Sequence, residues 1–82
     1  MNAYNDSLTL EERRIMALNA WFEVFDDLGM RMDCPSTHHL ELLRQADEMD
    51  RMKLVGWAQW RDLRVLADLA YLRAVAGQDY HP

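Results

Sequence analysis

Apolar residues recur at spacings of three and four along three stretches of this chain, which is the pattern of amphipathic α-helices. The first stretch covers residues 10–28. Thr9 followed by Glu12 has the spacing of a capping box, and Gly29 is typical of the residue that ends a helix. We therefore predict helix 1 over residues 10–28. Its apolar face is broad and consists of Ile15, Ala17, Leu18, Trp21, Phe22, Val24, Phe25 and Leu28.

The second stretch predicts helix 2 over residues 37–51, after a short connection at residues 29–35. Pro35 stands just before the expected start, where Ser36 or Thr37 would serve as the N-cap. This stretch has one apolar stripe, and its other residues are polar, which is the arrangement of a helix that packs along one side. That stripe consists of Leu42, Leu43, Ala46 and Met49, with His39 and Leu40 at its margins.

The third stretch predicts helix 3 over residues 57–76. Gly56 is a plausible N-cap, and Val55 and Trp60 have the spacing of a hydrophobic staple across the helix start. Gly77 follows the last periodic residue and is the expected stop. The tight turn before this helix predicts that helices 2 and 3 form an antiparallel pair.

Helix 3 is apolar on two separate sides. Its main stripe consists of Trp60, Leu63, Ala67, Ala70, Tyr71 and Ala74. A second line, which we call the Val65 seam, consists of Ala58, Val65, Leu69, Leu72 and Ala76. A helix with apolar residues on nearly all sides is either central in its fold or shared with a partner. We therefore expect helix 3 to be the central element and its seam, which is short and heptad-like, to contact a second chain.

These patterns predict an all-α fold: a compact three-helix bundle with short loops and flexible polar tails at residues 1–8 and 77–82. The 82 residues make a single domain, 1–82. Half of the residues are apolar, which is a generous supply for so small a core. Small helical proteins often complete such a core by associating with a second chain, so we expect a homodimer that forms through the Val65 seam or through the wide apolar face of helix 1.

Charge and cysteine content narrow the choice of partner and compartment. The net charge of −5 repels nucleic acid and anionic membranes. The single cysteine, Cys34, excludes an internal disulfide and fits a reducing compartment. The chain has no apolar run near the ~18 residues of a membrane span, and its first residues lack the features of a signal peptide. We expect a cytoplasmic protein that does not act at a membrane.

The strongest candidate for chemistry is the segment around Cys34, His38 and His39. A structural zinc site needs four ligands and a catalytic one needs three plus water, and the remaining histidine is the distant His81. Adjacent histidines on a helix also diverge by about 100°. We therefore predict no metal, no cofactor and no enzyme activity, with a zinc site or thiol nucleophile at Cys34 as the open alternative. Cys34 is interpreted as partly buried, His38 as solvated and His39 as bordering the core.

A DNA-binding regulator is the runner-up hypothesis. Helix, short turn and helix is the outline of a helix-turn-helix motif, and four basic residues gather near the turn between helices 2 and 3: Arg51, Lys53, Arg61 and Arg64. Helix 3 would then read bases, yet its first turn offers mainly Gln59 and Arg61 for that purpose. The acidic net charge opposes this interpretation.

The preferred hypothesis is a small, acidic, non-enzymatic protein-interaction module that self-associates. Trp and Arg are enriched among the residues that dominate binding energies at protein interfaces, and apolar seams on helices pair with other helices. The module would act on a larger protein as an adaptor, a regulatory subunit or an inhibitor, and phages and mobile elements commonly encode acidic proteins of this size. The residues expected to carry the interaction are Trp57, Arg61, Arg64, Val65, Leu69 and Leu72.

Overall fold

A computed structural model describes residues 8–77 of the chain. The described residues form four helices: α1 (Leu10–Phe25), α2 (Leu28–Asp33), α3 (Pro35–Arg51) and α4 (Trp57–Ala76). No strand occurs among them, and the helices pack against one another, so the predicted all-α fold is confirmed. The tails predicted at residues 1–8 and 77–82 lie almost entirely outside the described residues.

The start of α1 follows the prediction, and its end does not. Thr9 and Glu12 form the expected capping box, in which Glu12 N–H donates to Thr9 Oγ1 at 3.1 Å and Thr9 N–H donates to Glu12 Oε1 at 2.8 Å. The helix ends at Phe25, three residues earlier than predicted. The reason is Asp27, whose side chain accepts the Met30 N–H at 3.0 Å and so caps a new helix.

That new helix, α2, occupies the segment that was predicted to be an irregular connection. Gly29 therefore lies inside a helix and is not the stop that the sequence predicted. Arg31 of α2 donates to the Phe25 carbonyl, and its guanidinium lies 4.9 Å from the centre of the Phe25 ring. Because the last carbonyls of a helix have no partner within it, this contact binds α2 to the end of α1.

The helix predicted over residues 37–51 begins two residues early and ends as predicted at Arg51. Cys34, rather than Ser36 or Thr37, is its N-cap, and Pro35 is its first residue. Proline suits that position because the first N–H groups of a helix make no bond within it.

The boundaries of α4 match the prediction closely. Gly56 is the N-cap, with extended φ and ψ angles of −80° and 171°, and Gly77 ends the helix with φ at +71°. In the turn before it, Leu54 and Val55 are buried, and Leu54 N–H donates to the Met49 carbonyl at 2.9 Å. This buried turn fixes α4 beside α3.

The central helix is α3, so the prediction that the third long helix is central is wrong. The main contacts of α3 are with all three other helices, whereas α4 contacts chiefly α3 and, to a smaller extent, α2. The physical reason is that α1 and α4 both pack on the narrow apolar stripe of α3, and this leaves one side of α4 uncovered. The core consists of Trp21, Leu42, Ala46, Met49, Leu54, Val55, Leu63 and Ala67.

Trp21 is the residue that ties α1 to α3. Its side chain is fully buried, and its Nε1–H donates to the Leu42 carbonyl at 2.9 Å. The indole stacks on the Phe25 ring with centroids 5.2 Å apart and meets the Phe22 ring edge-on at 4.9 Å. A buried tryptophan needs a partner for its N–H, and here the partner is the backbone of the central helix.

Candidate protein-interaction surface

The Val65 seam lies on the side of α4 that faces away from α3. Val65 is 48% exposed and Leu72 is 38% exposed, while Leu69 is half-buried and Ala58 and Ala76 are exposed. The buried residues of α4 are Leu63, Ala67 and Ala70. On a helix that turns 100° per residue, Val65 and Leu72 lie about 140–160° away from Ala67. Most of the seam is therefore an apolar surface that the described part of the chain leaves exposed, with Leu69 partly covered.

Trp57 and Arg61 extend this seam toward the beginning of α4. Trp57 is 67% exposed, and the Arg61 guanidinium lies 5.0 Å from the centre of its ring. Residues four apart are neighbours on a helix surface, so Trp57, Arg61, Val65 and Leu69 form a ridge in which each residue lies beside the next, and this ridge turns about 120° around α4 from Trp57 to Leu69. A tryptophan with an arginine stacked on it presents a flat apolar face and a cation to an incoming molecule.

Arg64 does not belong to this ridge. Its guanidinium donates to Asp47 Oδ1 of α3 at 2.9 Å and lies 5.2 Å from the centre of the Trp60 ring. Trp60 Nε1–H donates to the same carboxylate oxygen at 2.9 Å. Arg64 thus contributes to the contact between α3 and α4, whereas Arg61, Val65, Leu69 and Leu72 lie on the outer side, and the exposed Trp57 lies beside Arg61.

Three of the four basic residues near the turn, all but Lys53, are paired with carboxylates. Arg51 pairs with Glu48, Arg61 with Asp62 at 3.1 Å, and Arg64 with Asp47 at 2.9 Å. Arginines that are already paired with carboxylates have less positive charge to offer to phosphates, which supply most of the affinity of nucleic-acid binding. This arrangement weighs against the DNA-binding hypothesis.

The residues of the zinc hypothesis lie in three different environments. His38 is almost completely buried, and its Nε2–H donates to the Val24 carbonyl in the last turn of α1 at 2.7 Å. His39 pairs with Asp68 of α4 at 2.7 Å. Cys34 is exposed. Within residues 8–77, no group of three or more His, Cys, Asp or Glu side chains is placed to hold a metal ion.

Two of the sequence-based interpretations of this segment are therefore wrong: His38 is buried rather than solvated, and Cys34 is exposed rather than partly buried. His38 lies one helical turn before Leu42, at the spacing that places both on the apolar face of α3. Its buried ring donates to a carbonyl at the end of α1 that also accepts the Asp27 N–H at 3.1 Å. The four-residue spacing to Leu42 was the signal that could have revealed this role.

A second apolar surface was not singled out from the sequence. It is a groove of about 140 Å³ between α1, α3 and the buried turn, lined by Ala17, Ala20, Arg44, Gln45, Glu48, Met49, Met52 and Leu54. A second, more open depression beside it is lined in part by Met16 and Met52, both exposed. The groove is shallow and mixed in charge, so it lacks the continuous ridge that distinguishes the outer side of α4.

Two broader observations bear on function. Within the described range, 8–77, none of the helices has the length and apolar character needed to cross a membrane. No protein-family model, curated protein or solved structure matches the chain. A function therefore has to be inferred from the surface itself.

Proposed function

We propose that this chain is a non-enzymatic protein-interaction module that forms a homodimer and acts in the cytoplasm on a larger protein, as an adaptor, a regulatory subunit or an inhibitor. The observation that carries the proposal is the uncovered ridge on the outer side of α4. It combines the exposed Trp57, the Arg61 stacked on it and the apolar Val65 seam on the longest of the described helices.

The energetics favour covering this ridge. Complete burial of a Val or Leu side chain contributes about 1.5–3 kcal/mol, so Val65 and Leu72, which are roughly half-exposed, would each gain about 1 kcal/mol. A symmetric dimer counts every such gain twice, and Leu69 adds to it. This gain must also offset the entropy of association, so we expect a weak dimer and test for it at about tens of micromolar.

The self-association step is tested by replacing Leu72, which is exposed enough that a charge there should leave the fold intact. Leu72→Glu places two carboxylates in an apolar contact, and size-exclusion chromatography with light scattering should then show a monomer. Leu40→Glu is the matched control, because Leu40 is 65% exposed on α3 and lies outside the ridge. If Leu40→Glu and Leu72→Glu change the measured mass equally, the Val65 seam is not the dimer contact.

Leu69, the half-buried residue of the Val65 seam, supplies a second variant. Leu69→Glu should also dissociate the dimer, with the helical circular dichroism signal retained. If Leu69→Glu instead unfolds a chain that was already monomeric, Leu69 serves the core of one subunit and the proposal fails.

Binding to a larger protein is a separate step with its own test. Trp57→Ala removes the exposed ring on which Arg61 stacks, whereas Leu40→Ala removes an exposed apolar side chain elsewhere. In affinity capture from the native host, a functional partner should be retained by the wild type and Leu40→Ala and lost with Trp57→Ala. Equal recovery with all three proteins would refute a role for the ridge in partner binding.

A further inference from the structure

We draw no further inference here: the strongest candidate, the apolar groove between α1, α3 and the buried turn, has both Arg44 and Glu48 in its lining, so its charge favours no one partner, and nothing in the structure shows what covers it.

Discussion

Replacing Trp21 with phenylalanine should cost about 3 kcal/mol of the free energy of unfolding. The substitution removes the hydrogen bond from Nε1 to the Leu42 carbonyl, which contributes about 1 kcal/mol. It also removes three ring atoms from a fully buried position, and at about 0.8 kcal/mol per buried carbon group this adds roughly 2 kcal/mol. A protein of this size has a total stability of about 4–12 kcal/mol, so the loss is large.

The assay is urea unfolding followed by circular dichroism, with all proteins at one concentration because dimerisation contributes to apparent stability. Trp57→Phe is the matched control: it makes the same substitution at an exposed position whose ring makes no described hydrogen bond through its N–H. We expect that control to change stability by less than about 0.5 kcal/mol. In thermal unfolding, Trp21→Phe should lower Tm by roughly 15 °C. Equal losses in the two variants would refute the assignment of Trp21 to the core.

Two further predictions concern local interactions. Hydrogen bonds from Arg44, which has the larger effect, and from Gln45 lower the pKa of the Glu41 carboxyl from 4.5 to about 2. This contact therefore stabilises the fold fully above about pH 5, and the stabilisation is lost as the pH falls toward 2. Glu41→Gln should therefore be less stable than the wild type at about pH 7, and the difference should shrink on acidification; a difference that does not change with pH would contradict this. Thr9→Ala breaks the capping box and should lower the free energy of unfolding by about 1 kcal/mol. Thr9→Ser retains the capping hydroxyl and should lose much less. If the two variants lost equal stability in urea unfolding, the hydroxyl of residue 9 would not stabilise the helix start.

Most of the helix boundaries could be predicted because the residues that set them act locally. Thr9, Gly56 and Gly77 each start or stop a helix through their own backbone or side chain, and this is visible in the sequence. The six-residue helix α2 was missed because its cap, Asp27, lies within the apolar repeat that predicted helix 1 up to Leu28. A helix that short has too few residues to show a periodicity of its own.

The packing order of the helices was harder to predict than their bounds. The apolar width of α4 was taken to mean a central position, yet the centre of the fold is the narrow stripe of α3. The sequence could not show this, because part of the contact between the two helices is polar: Asp47 accepts from Trp60 and from Arg64. Polar residues at such positions read as solvent-facing until the partner helix is placed.

The same reasoning explains the mixed outcome at the candidate surface. Exposure of Val65 and Leu72 could be anticipated, since both lie opposite the main stripe of α4 on a helical wheel. The ion pair of Arg64 with Asp47 could not be anticipated, because it depends on where α3 places Asp47 relative to α4. His38 is the reverse case, since its spacing to Leu42 already indicated the apolar face of α3.

The claim at the centre of this account is that the outer side of α4 is covered by a second copy of the chain. Sedimentation equilibrium of the wild-type protein, from about 1 to 100 μM, tests it most directly. The average mass should rise from the 9.7 kDa of one chain toward twice that value, and the rise should be absent in Leu72→Glu. A mass that stays at 9.7 kDa over the whole range would contradict the account.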